Sequence, residues 1–419
     1  MTAISFILYI QHDLELSDYR LSHIGSGASY WNETKNQESF ATRARLLYWP
    51  LVNMLNTAIR KNPADLNLTL SFGGNFLQLA QNIDSAMFKA LQNLVSLPNI
   101  TLACTPQHGG LSFLSSASEF QDDLLAQRQF LKEFFKKDAT IAHTPHIIYS
   151  DYVGKIMSNA GFSAAITDGW DPLLPTDANA NHTFHHPENS SFKVLASNYN
   201  FTEDFNRYCA RRNTHHFAVS PERYLAWIQK VAKQNSEVVT TFLDLSGPGA
   251  ENSEVLCFLS DVFSHVASEK NLAMISAESA AHLPSQGAIH CPALTSNALP
   301  SHDVARWMRS ALQQDILDKL NNLAPRVRRQ KGHDIVHAWR GLFAMNIFES
   351  LQIHHYNEDN MDTVPNQTTP YDTSLSLYNI LEDIELVLNT LECENQLTKK
   401  TEFTPNNAKA KMLEQNAPQ

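Results

Sequence analysis

The sequence predicts an α/β fold in which a barrel of parallel βα units precedes a helical region, and three observations carry that prediction. Short apolar runs alternate with segments of helical spacing from residue 3 to about residue 276, the pattern of parallel strands joined by crossover helices. Seven or eight such strands fall in that stretch, which favours closure into a barrel over an open sheet. From about residue 300 the strand signal stops and apolar residues recur at helical spacing, marking helices packed on the barrel. The boundaries read as 1–290 for the barrel, 291–393 for a C-terminal helical domain and 394–419 for a tail with little to bury, expected to be disordered.

Each element has its own signal. Residues 3–10 are almost continuously apolar, as a strand buried on both faces requires. Residues 38–61 place Leu46, Leu47, Leu51, Met54, Leu55 and Ile59 at helical spacing. "LNLTLSFGG" reads as the second strand, "FLQLAQNIDSAMFKALQNLV" as one helix, "NITLAC" as the third strand and "EFQDDLLAQRQFLKEFF" as the next helix. "IAHTPHIIYSDYVGKIMSNAGFSAAITDGW" supplies strand, helix and strand, and residues 171–190 read as an irregular loop rich in Asn, His and Pro. "SFKVLAS", "SEVVTTFLDLSG" and "NLAMIS" complete the strands, with helices "PERYLAWIQKVAK" and "SEVLCFLSDVFSHVAS" between them. Three further helical patterns follow, through Val304 to Leu320, Ile335 to Leu351 and residues 373–391.

Composition narrows the function. A net charge of −11 argues against nucleic acid and anionic membrane as partners, because both need clustered cations. The one basic cluster, Arg326 to Lys331, lies between helices and reads as a solvated loop. No run of about 18 apolar residues suggests a membrane span. The opening "MTAISFILYI" lacks a basic leader and a cleavage site and reads as a buried strand. Five widely spaced cysteines without CxxC pairing suit a reduced, cytoplasmic protein with thiols packed as small hydrophobes. GxGxxG, P-loop and GxSxG motifs are missing, which removes the simplest nucleotide-binding and serine-hydrolase readings.

In a βα barrel the reacting groups stand just past the carboxyl ends of the strands. Those positions hold Gln11, His12 and Asp13; Gly73, Gly74 and Asn75; Thr105, Gln107 and His108; His143, His146, Asp168 and Trp170; and Asp244 with Ser246. Asp244 ends an apolar strand, so it either faces a cleft or caps the following loop. Trp170 is either core packing or a sugar-stacking platform. His333 and His337 have the i, i+4 spacing of a zinc helix, but no third ligand is evident, and a packing pair is the favoured reading. His182, His185, His186, His215 and His216 read as solvated. No metal and no cofactor is expected.

Taken in order, several segments resemble the α-amylase-type members of glycoside hydrolase family 57. "LYIQHDLELSDYRLSHIGSGASYWNETKNQESF" is similar to that family's opening strand and His-Gln-Pro-x-Arg motif, and "LSFGGNFLQLAQ" to its Ser-x-Ser-Gly-x-x-Leu-Glu-x-Leu segment. "TPQHGGLSF" resembles Thr-Tyr-Tyr-His-Ser, "IIYSDYVGKIMSNAGFSAAITDGW" resembles "LIYSDEIAKI…GFKGMLTEG", and "FLDLSG" resembles "MDYETFG". "NIFESL" corresponds to a Tyr-rich Asp-His-Phe-Tyr-Tyr-Met segment, and "TPYDTSLSLYNILEDIELVL" to a C-terminal helix; the likeness runs from residue 4 to about 392.

The resemblance implies an incomplete (β/α)7 TIM-like barrel with a helical C-terminal domain, acting on α-glucan or maltooligosaccharide by retaining hydrolysis or transfer. It places the acid/base on Asp244 and the nucleophile, a Glu in the family, on His146, or on Pro145 with a one-residue gap. No Glu occurs between Glu133 and Glu188. Gln11, His108, Asp168 and Trp170 fall at substrate-binding positions. His-Gln-Pro-x-Arg has become Gln11-His12-Asp13-Leu14-Glu15, and the Glu of "MDYETFG" is Ser246. The expectation is an α-amylase-like protein with degenerate machinery, inactive or weakly active and glucan-binding. Its rivals are an active hydrolase or transferase with a relocated carboxylate such as Asp168, and a metal-dependent hydrolase built on His146, His143 and Asp13.

Overall fold

Along the first strand, β1 (Thr2–Ile10), Ile7 and Tyr9 join one buried cluster while Ile4, Phe6, Leu8 and Ile10 join another. A strand buried on both faces is what a barrel wall requires. The computed structural model describes residues 2–209, 220–234, 236–299, 301–330, 332–352 and 369–402. The other strands are β2 (Leu68–Phe72), β3 (Ile100–Cys104), β4 (Ile141–Ala142), β5 (Ala164–Asp168), β6 (Thr183–His186), β7 (Asn189–Ser197), β8 (Val238–Asp244), β9 (Leu272–Met274) and β10 (Ser285–Ala288). Parallel pairing runs β5-β4-β3-β2-β1-β8, with β7 beside β5. One bridge from β7 to β8, Ser197 to Thr240, closes a ring of seven parallel strands. The expected α/β class and seven-unit barrel are therefore present. β9 pairs with Thr2–Ile4 and β2 with Ile7–Ile10, so both share the edge of β1 that β8 leaves open.

The helices around the barrel are α1 (Glu33–Arg43), α2 (Trp49–Lys61), α3 (Gly74–Ile83), α4 (Ser85–Val95), α5 (Ala117–Phe135), α6 (Asp151–Asn159), α7 (Tyr199–Cys209), α8 (Pro221–Ala232) and α9 (Ser253–Ser268). The helix expected over residues 38–61 runs through a π-helical turn at Ala44–Tyr48. The single helix expected after β2 is two, because the Asp84 carboxylate accepts from Met87 N at 2.9 Å and starts a new helix. The loop expected over 171–190 contains β6, which pairs antiparallel to β7. Accordingly His182 and His186 are buried and not solvated: His186 Nε2 contacts the Asp151 carbonyl at 2.8 Å, and His185 Nδ1 the Ser285 hydroxyl at 2.7 Å. His215 and His216 lie outside the described residues. The thiols of Cys104, Cys209 and Cys291 are buried as expected, whereas Cys257 and Cys393 are exposed.

Helix α10 (Ala277–Ala281) plugs the barrel floor, where Ala277, Ala280 and Ala281 meet Ile7, Ile141 and Val238. The C-terminal helices are α11 (Ala305–Met308), α12 (Ala311–Val327), α13 (Asp334–Gly341), α14 (Met345–Ser350) and α15 (Pro370–Glu402). α15 continues to Glu402, past the point at residue 394 where a disordered tail was expected; residues 403–419 lie outside the described residues. Buried carboxylates tie these helices to the barrel. Asp383 accepts from Gly25 N and Tyr30 Oη, each at 2.6 Å, and Arg340 Nε donates to Glu119 at 3.0 Å. The basic cluster is part of this joint and not a solvated loop: Arg328 pairs with Glu119 and Asp122, and Arg326 with Glu392.

The seam between β7 and β8 is the weak point of the ring, and α7 covers it, a helix outside the expected elements although Phe201, Phe205, Tyr208 and Cys209 stand at helical spacing. Asn206 Nδ2 donates to the Phe242 carbonyl at 3.0 Å and its Oδ1 accepts from Asp244 N at 2.8 Å. One side-chain amide thus takes the place of the neighbouring strand where β7 has ended. Replacing it with the near-isosteric Asn206→Leu strips partners from two β8 backbone groups, at a cost of about 1–3 kcal/mol. Urea denaturation measures this, and an unchanged midpoint would show that the seam does not depend on the amide.

Candidate active site

Strand parity decides which side chains face the barrel mouth. On β8, Val238 and Phe242 point into the inner cluster, and Asp244, two residues on, follows the same face. On β5, Ala164 and Ile166 point inward and Asp168 follows them. His143, two residues past Ile141, also turns inward and sits edge-on to Tyr9 and Phe242 at 5.1 and 4.9 Å. Tyr9, Phe242 and His143 thus form an aromatic layer beneath the mouth. His143 Nδ1 donates to the Thr144 carbonyl at 2.8 Å, so Nε2 is left to accept from the Ser71 hydroxyl at 2.6 Å. Burial lowers the His143 pKa to about 4, against an opposing hydrogen bond to Thr144.

His146 is placed differently. It lies in the short turn Pro145–Ile147, with φ of 51° at His146 and 43° at Ile147. Two successive non-glycine residues in the left-handed region are costly, and such strain concentrates at functional sites. The result is that Ile147 fills the inner cluster while His146 turns toward the mouth, its Nδ1 3.7 Å from Asp244 Oδ2. Pro145 is buried. The His146 ring lies 5.2 Å from Trp307, whose indole N–H donates to Glu349 Oε1 at 3.0 Å. Arg306 also holds Glu349, with Nε 3.1 Å from Oε1. Burial depresses the His146 pKa, opposed by the carboxylates of Asp244 and Glu349.

Asp244 is fixed from three sides. Its backbone N–H is held by Asn206, its Oδ1 accepts from Ser246 N at 2.8 Å, and its Oδ2 faces His146. Arg43 secures the loop that follows, donating to the carbonyls of Leu245, Ser246 and Gly247 at 2.8–3.3 Å. Asp13 stands open to solvent yet crowded by protein. Loss of bulk water, with Glu349 and Asp244 nearby and Arg43 opposing, raises its pKa to about 7.

The remaining expected residues occupy distinct places. Gln11 is a buried wedge; a Cβ on Gly73 would lie 1.5 Å from its Oε1. His12 bonds to Tyr48 and Ser39 at 2.9 and 3.0 Å. His108 Nδ1 is 2.6 Å from Asp123, and its Nε2 is 3.4 Å from His337 Nδ1. His337 thus reaches the barrel mouth from α13, while His333 caps that helix by accepting from Ile335 N. The i, i+4 histidines therefore do not act as a pair. Asp168 Oδ2 meets His302 Nδ1 at 2.5 Å, and Trp170 stacks on His302 at 4.6 Å. Among the described residues no group of three or more His, Cys, Asp or Glu could hold a metal ion, and both nitrogens of His143 are engaged. Asn206, Arg43, His302, Arg306 and Trp307 were not singled out from the sequence. Arg43, Arg306, Trp307 and Glu349 lay in segments already read as helices, but which of their residues reach the mouth depends on tertiary packing.

Comparison with known proteins shows the family and the fold. The family model "Glycosyl hydrolase family 57" matches residues 8–292. A Methanocaldococcus jannaschii protein named "Putative alpha-amylase" is 23% identical over 409 residues, covering 91% of this chain and 83% of that one. The fold is similar to a GH57-type branching enzyme from Pyrococcus horikoshii, with a TM-score of 0.67, 10% identity and coverage of 91% and 88% of the two chains. It is also similar to 4-alpha-glucanotransferase from Thermococcus litoralis, with a TM-score of 0.55, 12% identity and 83% of this chain covered. The chain spans half the length of that longer protein.

The buried histidine under the mouth generates a pH prediction. The folded pKa of His143 is depressed from 6.5 to about 4, so its contribution to stability is present above pH 6.5 and is lost as the pH falls toward 4. The loss is on the order of 3 kcal/mol, at about 1.36 kcal/mol for each pH unit separating the two values. Thermal unfolding followed from pH 7 to pH 4 is expected to show a shallower fall for His143→Gln than for the parent protein. Parallel curves would remove His143 as a source of acid sensitivity.

Proposed function

The chain belongs to glycosyl hydrolase family 57, and from that premise we propose that it is an α-amylase-like protein that binds α-glucan or maltooligosaccharide while normal retaining hydrolysis is lost. The observation that supports this most is the pair at the mouth, where the His146 imidazole stands 3.7 Å from the Asp244 carboxylate. By its resemblance to the family, that is where a Glu nucleophile would face an Asp acid/base. Retaining glycosidases hold two carboxyl groups roughly 5–5.5 Å apart, one to protonate the leaving oxygen and one to trap the anomeric carbon as a glycosyl ester. Asp244, its backbone and one oxygen fixed, suits the first task. His146 does not suit the second: it brings no anion to an oxocarbenium-like transition state, and once protonated it repels one. Loss of a covalent nucleophile costs on the order of 10⁴–10⁶ in rate. The five free thiols suit a reducing, cytoplasmic setting.

A second reading has one observation in its favour. An active hydrolase or transferase with a relocated carboxylate finds little support at Asp168, which is buried and bonded to His302. It finds more at Asp13, an exposed carboxylate whose pKa is raised by loss of bulk water and by Glu349, as a proton donor requires. A metal-dependent hydrolysis is less well supported, because His143 has no free nitrogen.

Two measurements separate these readings. With maltoheptaose as substrate, the parent protein is expected to show no turnover above background, and His146→Glu is expected to gain it. Sustained turnover by the parent, abolished by Asp244→Asn or Asp13→Asn, overturns the inactive reading. In native gels cast with glycogen the parent is expected to be retarded, and unaltered migration removes the glucan-binding clause.

A further inference from the structure

At the end of β5, Asp168 is 1% exposed and carries one oxygen, Oδ1, that is buried without a hydrogen-bond partner among the described residues. Its other oxygen accepts from His302 Nδ1 at 2.5 Å. Accepting from Nδ1 fixes the imidazole orientation and leaves Nε2 as the ring's remaining polar atom. No partner meets that Nε2 among the described residues, although the His302 residue is only 6% exposed. The ring is held between two aromatic groups, Trp170 at 4.6 Å and 10°, and Tyr199 at 5.0 Å and 54°. Trp170 itself is half-buried, so part of the indole stays open.

The backbone is built to deliver this arrangement. Gly169, between Asp168 and Trp170, passes so close to β7 that a Cβ would meet the Ser197 carbonyl oxygen at 2.4 Å. His302 has φ of 52°, a conformation a β-substituted residue adopts at a cost. The segment before it is strapped to the turn after β4: Tyr149 and Thr295 exchange backbone hydrogen bonds at 3.0 and 2.9 Å. Ser296 then bonds to both histidines, its hydroxyl donating to the His146 carbonyl and its N–H to the His302 carbonyl, each at 3.2 Å. A strained, oriented imidazole with a spare nitrogen, stacked on a partly open indole, exceeds what core packing asks for.

We infer that Asp168, His302 and Trp170 form a glucosyl-binding subsite two strands round the barrel from Asp244, in which His302 Nε2 hydrogen-bonds a sugar hydroxyl and Trp170 stacks on the ring. The inference rests on the glucan-binding reading above and names a residue and a contact that reading does not contain. Sugars combine an apolar ring face with a rim of hydroxyls, so an aromatic platform beside an oriented polar atom is the chemistry that recognises them. Asp168 acts through His302 and is a positioning residue.

The test uses the full chain, with maltoheptaose titrated calorimetrically. His302→Asn is the informative variant, because asparagine tolerates a left-handed backbone and its amide can still donate to Asp168, while the Nε2 position is emptied. The inference expects a dissociation constant at least tenfold weaker for His302→Asn and for Trp170→Ala, with the thermal midpoint of His302→Asn close to that of the parent. Binding by His302→Asn within twofold of the parent overturns the subsite and leaves the glucan reading standing. No binding by the parent overturns both. His302→Gln, which restores an amide near the Nε2 position but loses the Asp168 bond, is expected to recover part of the affinity; affinity as weak as that of His302→Asn would count against the direct sugar contact.

Discussion

One side-chain amide holds the ring at its thinnest point. Seven parallel strands curl round a shared core, but β7 and β8 share only one bridge, Ser197 to Thr240, beside which the Ser197 hydroxyl accepts from Phe242 N at 3.0 Å. Beyond it the strands diverge, and β8 would present an open edge at Phe242 and Asp244. Asn206 from α7 satisfies both groups. An unpaired buried backbone group costs about as much as a lost hydrogen bond, so the amide stabilises the wall and also decides where its last residue points. Asp244 is that last residue. The closure of the barrel and the aim of its most prominent carboxylate are therefore one structural fact.

The opposite side of the mouth is organised by a different constraint. The β4 strand is only two residues long, and the chain after it makes two left-handed turns, at His146 and Ile147. Those turns separate the two histidines of this segment, which the sequence places three residues apart. His143 stays in the aromatic layer with both nitrogens used, and His146 emerges under Trp307. The strap that carries Thr295, Ser296, His302 and Trp307 is fastened to the same turn, so the C-terminal helices begin by completing the site. Glu349 of α14, gripped by Arg306 and Trp307, finishes the wall.

Much of this was legible in the sequence, and what was not has a physical reason. Strand parity is a local property, so the apolar runs ending in Asp168 and Asp244 already marked which carboxylates stand at strand ends. Helix breaks such as Asp84 depend on a cap that competes weakly with propensity, which is why two helices looked like one. β6 was hidden because an antiparallel strand on the margin of a barrel needs no long apolar run, and histidines in it looked like loop residues. The partners of Asp244 and Asp168, namely Asn206 and His302, come from elements distant in sequence. The helical spacing of Phe201, Phe205, Tyr208 and Cys209 marks α7 itself, but it does not say that Asn206 meets Asp244. The pairing of His337 with His108 was missed for the same reason, since a helix pattern gives a face but not what that face meets.

The substitutions at the mouth make more sense together than singly. If the resemblance to the family is followed position by position, the mouth lost an anion at His146 and gained one at Asp13, where the family motif has proline. Loss of bulk water, with Glu349 and Asp244 adding to it and Arg43 opposing, already raises the Asp13 pKa to about 7. A glutamate in place of His146 would put another negative charge beside Asp244 and Glu349, where the imidazole now sits between them electrostatically. Like charges sharing one site push one another toward protonation. On the proposed reading the imidazole is therefore not an isolated loss. It is the neutral group that lets three carboxyl groups share one barrel mouth, which ties the missing nucleophile to the acid that appeared across from it.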